Sequence, residues 1–159
     1  MKTRKQHGFS LIELLIVVAI ILIIAAIAIP SFISSRMRAN EASAVQSVRN
    51  IQTAETAYSI TYPVQGYSAT LADLGDGGNS PCISAPNQAC LIDSALASGT
   101  KSGYVLTYAN DGNVPASNFF INADPIGRNS TGQRSYFSDY PNVIHYNMTA
   151  QATAADPPI

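Results

Sequence analysis

"HGFSLIELLIVVAIILIIAAIAIP", residues 7–30, sets a single acid, Glu13, at the head of an otherwise apolar run. From Leu14 to Ile29 no side chain is polar, and Phe9 to Ile29 makes 21 residues before Pro30. Coiled as a helix, those residues reach about 31 Å, close to the ~30 Å hydrocarbon core of a bilayer. The stretch is long enough to span a membrane. An acid inside such a segment costs ~2.5 to 3.5 kcal/mol at mid-bilayer and less near the edge. Glu13 therefore calls for a partner or a purpose.

The rest of the composition is read around that run. Of 159 residues, 47% are hydrophobic and 12% charged, which would suit one packed soluble domain if the apolar residues were evenly spread. They are concentrated at the front instead. Lys2, Arg4 and Lys5 precede the run without an acid among them, an excess that holds the N-terminus in the cytoplasm and sends the remainder outward. Beyond them, Arg36, Arg38, Arg49, Lys101, Arg128 and Arg134 are scattered along the chain, so no nucleic-acid footprint is expected.

A secretory signal peptide is one reading of the front, with Ala26-Ile27-Ala28 as its small-x-small cleavage site. Its apolar region is normally ~7 to 15 residues and has no use for a carboxylate. The helical pattern also continues past Ala28 through Phe32 and Ile33. A plain signal anchor that only tethers a domain is a second reading.

The run Gly8-Phe9-Ser10-Leu11-Ile12-Glu13-Leu14, after a short basic leader and before an apolar helix to Pro30, resembles the class III signal of type IV pilins and of type II secretion pseudopilins. The resemblance implies that prepilin peptidase cuts after Gly8, that residues 1–8 are a cleaved leader, and that Phe9 becomes the N-methylated first residue. It also implies an answer for Glu13: the new amine of Phe9 in a neighbouring subunit neutralises its carboxylate in the filament core, where an unpaired charge is costly. Contact between subunits is preferred here to the internal pairing of Phe9 and Glu13. Head-to-tail contacts of this kind generate an open helical filament. Ala19, Ala25, Ala26 and Ala28 offer small surfaces for close helix approach. Pro30 is expected to kink the helix. Where many family members have glycine within the run, Leu22 and Ile23 stand here.

Together these features predict an α+β pilin fold. A long N-terminal helix over 9–62, with 9–29 as membrane span and filament core, packs on a small antiparallel sheet in a head of residues 63–159. The function implied is a structural, non-enzymatic subunit of a type IV pilus; a type II secretion pseudopilin is the alternative, and a membrane-anchored binding domain the competitor from another class. Implied partners are prepilin peptidase, identical subunits in a helical homopolymer, and an inner-membrane assembly platform. The implied location is a single pass of the inner membrane, then an extracellular pilus or a periplasmic pseudopilus. No cofactor and no metal are expected.

After Pro30, on the second half of the long helix, Ala42, Val45, Val48, Ile51, Ala54 and Tyr58 form the expected apolar stripe, with Arg38, Glu41, Arg49, Asn50 and Glu55 mainly between them. The helix should end near Tyr62, before Pro63. "GYSATLADLG", residues 66–75, carries Thr70 and Asp73 as a capping pair for a short helix. Cys82 and Cys90, in a loop-like stretch, can close a small ring in an oxidising compartment; two free thiols remain the other reading, and a metal site would lack ligands. Asp73, Asp76 and Asn79 lack the spacing of a calcium loop and read as turn chemistry. Strands are predicted over 102–110, 117–124, 134–139 and 142–147, with 104, 106 and 108 on one face, and "ATAADPPI" as a loose tail. His145 reads as a packing or surface histidine, and Asn129-Ser130-Thr131 and Asn147-Met148-Thr149 match a glycosylation pattern that short sequences meet by chance.

Overall fold

The computed structural model describes residues 9–79 and 81–159. Helix α1, Leu11–Thr61, contributes to two compact units that divide after Ser35. In the first unit its apolar side chains are uncovered: Ile23 is 65% exposed and Ile27 75%. So long an apolar surface is not left to water in a folded protein. By length and composition it is able to cross a membrane. Pro30 lies within the helix, where its missing N–H leaves the Ala26 carbonyl without its usual donor.

The second unit, Arg36–Ile159, is a helix on a sheet. Strands β1 (Thr100–Lys101), β2 (Tyr104–Asn110), β3 (Phe119–Pro125), β4 (Ser135–Asp139) and β5 (Ile144–Asn147) form one antiparallel meander in chain order. Val48, Ile51, Ala54 and Tyr58 of α1 join Tyr104, Leu106, Phe119, Ile121, Ala123 and Tyr136 of the sheet in one core. On β2 the expected face holds, with Tyr104 and Leu106 buried and Tyr108 half-buried. A 3-10 turn, Leu71–Leu74, bears the Thr70–Asp73 capping pair, and a one-turn helix α2, Ser94–Ala97, is capped by Asp93 accepting from the Leu96 N–H at 2.8 Å.

The buried face of α1 differs from the stripe expected of it. Ala42 is exposed and Val45 only half-buried, while Ala44, Ser47, Gln52 and Glu55 are buried. A strict three-residue step rotates 60° per repeat around a helix of 3.6 residues per turn, so it leaves any fixed face within two turns. The true face alternates steps of four and three: 44, 48, 51, 55, 58. Glu55, assigned to the polar side, falls on it.

Glu55 is accommodated because the loop after α1 supplies donors. Ser68 donates to its carboxylate from both the backbone N–H (3.0 Å) and the hydroxyl, and the Ser68 carbonyl accepts from Tyr108 Oη at 3.1 Å and Asn110 Nδ2 at 3.0 Å. A buried acid thus ties helix, loop and sheet together. Burial raises the Glu55 pKa, with the Ser68 bonds acting in the opposite sense. The same loop needs glycine at Gly66. Its φ is +74°, and an added Cβ would strike the Ala116 backbone, which exchanges hydrogen bonds with Gln65 and Tyr67.

The C-terminal segment corrects the expectation of a loose tail. Tyr146 N–H donates to the Pro157 carbonyl and Ile159 N–H to the Ile144 carbonyl, both at 3.0 Å, and Ala152 is 1% exposed. Asp156 closes the turn, accepting from Thr153 N–H at 2.7 Å and Asn147 Nδ2 at 2.8 Å. These donors lower its pKa. The sequence predicts a loose tail here, but the edge of β5 gives the segment backbone partners.

Candidate assembly site

At the front of α1, Leu11, Ile12 and Glu13 are the first three helical residues, and their N–H groups have no intrahelical acceptor. Glu13 turns back on that end. Its Oε2 accepts from the Ser10 N–H at 2.9 Å, while Leu14 N–H reaches the Ser10 carbonyl at 3.3 Å. The carboxylate therefore caps its own helix and adds negative charge where the helix dipole is positive. Ser10-Leu11-Ile12-Glu13 carries the S-x-x-E spacing of a capping box, a signal that the reading of Glu13 as an intermolecular partner passed over. Only one carboxylate oxygen is used, and the side chain is exposed. Phe9 beside it is 79% exposed. Gly8 and the leader lie outside the described residues.

Residues 3–29 match the family model described as the prokaryotic N-terminal methylation motif. By this segment the chain is similar to type IV pilins. It is 46% identical over 54 residues to the type IV major pilin protein PilA of Myxococcus xanthus, covering 34% of this chain and 24% of that one. Over 38 residues it is 58% identical to the type IV wide pilus major component PilA4 of Thermus thermophilus, covering 24% of this chain and 29% of that one. The matches thus span about a quarter of each relative's length. No solved structure matches the chain significantly.

In the head, Cys82 and Cys90 are bonded to each other, their Cα atoms 6.2 Å apart. The ring packs back on the 3-10 turn: Cys90 N–H donates to Gly75 O at 2.9 Å and Leu91 N–H to Leu74 O at 2.8 Å. Tyr58 Oη reaches the Pro86 carbonyl inside the ring at 2.7 Å. The staple therefore holds an end of the head that α1 also anchors.

The head's basic residues do not stay scattered, as the linear sequence suggested. Arg38, Arg49 and Arg134 line one groove of about 400 Å³ with Glu41, Val45 and Tyr136. Arg38, Ala42, Val45 and Arg49 fall at helical spacing on one side of α1, and β4 is preceded by Arg134, whose guanidinium lies 5.1 Å from the Tyr146 ring centre. Glu41 spends Oε1 on the backbone N–H groups of Gln133 (2.9 Å) and Arg134 (3.2 Å). Among the described residues the one ion pair is Lys101–Asp93, at 2.8 Å, which lowers the Asp93 pKa. His145 presents Nδ1 to the Asp156 carbonyl, a packing role.

Proposed function

We propose that this chain is the structural subunit of a type IV pilus, cut by prepilin peptidase after Gly8, methylated on the amine of Phe9, and polymerised through α1. The observation that carries the reading is the methylation motif over residues 3–29, on a helix that carries Glu13 at its tip and leaves its apolar side chains uncovered. The uncovered helix rests in the inner membrane as a reservoir and moves into the filament core during assembly, exchanging one apolar surrounding for another. An assembly platform in that membrane delivers it to the growing fibre outside the cell. Pro30 bends α1 along the way.

Glu13 has two tasks in this scheme. One oxygen caps its own helix through Ser10; the other receives the Phe9 ammonium of the neighbouring copy, which removes an unpaired charge from a low-dielectric core and fixes register. Glu13→Gln separates the tasks, because an amide oxygen still caps but carries no charge. The expected result is normal membrane insertion and leader removal, with filament yield from sheared cells reduced as far as by Glu13→Ala. Normal filaments from Glu13→Gln beside none from Glu13→Ala would leave capping as the function and remove the charge pairing. Mass analysis of native protein should find methylated Phe9 at the terminus; an intact leader on assembled fibres would overturn the whole reading.

A further inference from the structure

Basic side chains are absent from one long stretch of the head. Between Arg49 and Lys101 the chain has no lysine, arginine or histidine. That segment carries Asp73 and Asp76, and the fold adds Asp111 and Asp139 at the same end of the sheet. Asp111 follows β2 and its N–H donates to Asn118 O, while Asp139 ends β4 and precedes Tyr140, whose N–H donates to Asn118 Oδ1. The Tyr140 ring lies 6.4 Å from that of Tyr67, which lines a groove of about 300 Å³ with Tyr58 and Asp73. Asp111 stays ionised, its pKa lowered to about 2 by hydrogen bonds from Ser117 and Asn113. Against this acidic end stands the arginine groove, on the α1 segment that begins at Arg38. Along α1, Tyr58 of the second groove lies about 14 Å beyond Arg49 and about 30 Å beyond Arg38.

We propose that the Arg38–Arg49–Arg134 groove of one copy receives the Asp73–Asp76–Asp139 end of a second copy, as the polar contact that orders heads along the filament. The inference rests on the filament reading above and deepens it. Opposite charges at two separate ends of one body make a heterologous, head-to-tail contact, which propagates as an open helix rather than closing as a dimer. The arginines suit the role because a guanidinium takes a carboxylate in two parallel hydrogen bonds and none of the three has an acid partner in its own head among the described residues. Like-charge ends repel in the reverse order, so the arrangement also sets direction.

The test is charge reversal in the full chain, produced in cells and scored by filaments sheared from the surface. The double variant Arg38→Glu with Arg49→Glu, and separately Asp76→Lys with Asp139→Lys, should each lower filament yield on the order of tenfold. The chain carrying all four changes should recover most of it, since every copy then again presents matched ends. An unchanged membrane-bound pool with its Cys82–Cys90 bond intact excludes misfolding, and Arg38→Gln with Arg49→Gln should give a smaller loss without reversal. Full yield from either reversed pair, or no recovery in the fourfold variant, overturns the contact. So does unchanged yield accompanied by lost retention of a random-sequence DNA duplex, which would reassign the groove to nucleic acid. Absence of fibres from the unsubstituted chain would instead sink the filament reading itself.

Discussion

Glu13 and Glu55 stand on the same helix, and each accepts from the backbone N–H of a serine, Ser10 and Ser68 respectively. Glu13 is exposed among uncovered apolar side chains and bonds three residues back; Glu55 is fully buried and bonds across a loop thirteen residues on. The first contact is local and leaves an oxygen free, as the proposed pairing between subunits requires. The second uses both oxygens and closes the head. The same contrast runs through the helix. In the front unit isoleucines such as Ile20 are half or more exposed, whereas Ile51 in the head has no exposure at all. One helix thus holds two kinds of hydrophobic surface, one completed within the chain and one left uncovered.

The sharpest way to break that comparison is to truncate the same residue type in both places. Ile51→Ala should cost the head about 4 kcal/mol, from lost burial plus the cavity left behind. Ile20→Ala should leave head unfolding unchanged. Near-ultraviolet circular dichroism of the full chain in detergent reads this cleanly, because every tyrosine lies at or beyond residue 58. Equal losses from the two variants would mean that the front half is also packed within the chain.

Next comes the buried acid. Glu55→Ala strips the acceptor from the Ser68 N–H and hydroxyl and should cost about 3 kcal/mol. Its pH dependence follows from the raised pKa. A carboxyl that holds its proton more tightly when folded stabilises fully below the ordinary carboxylate range, and that contribution is lost as pH rises through the raised value. Thermal midpoints should therefore fall with pH from the ordinary carboxylate range upward, and Glu55→Gln should flatten that fall. A steeper fall in Glu55→Gln would show the slope to come from another group. Replacing both Cys82 and Cys90 by serine is the mildest test, at about 2 kcal/mol for so short a ring, and only the head's midpoint should move.

Much of this was legible from residue types and spacing. The apolar run, the acid near its start, the end of α1 before Pro63, and four of the five strands are local matters, set by side chains that are neighbours along the chain. The pilin-like front needs only some twenty consecutive residues to declare itself, because a spanning helix is defined by length and continuity. Two local signals were passed over: Ser10-x-x-Glu13 as a capping box, and Asp93 three residues before Leu96 as the cap of α2. β1, two residues long, is too short to leave a periodic trace.

What the linear chain determined by itself was therefore the long apolar helix, the acid at its tip and the alternation of the strands, since each depends on contacts within a few residues. Only the tertiary structure decided that Glu55 faces inward, that Ser68 meets it, that the last residues close on β5, and that Arg38, Arg49 and Arg134 share a groove. The physical reason is common to all four: an exposed charge and a buried one have the same side chain, and only the partners brought from far along the chain distinguish them.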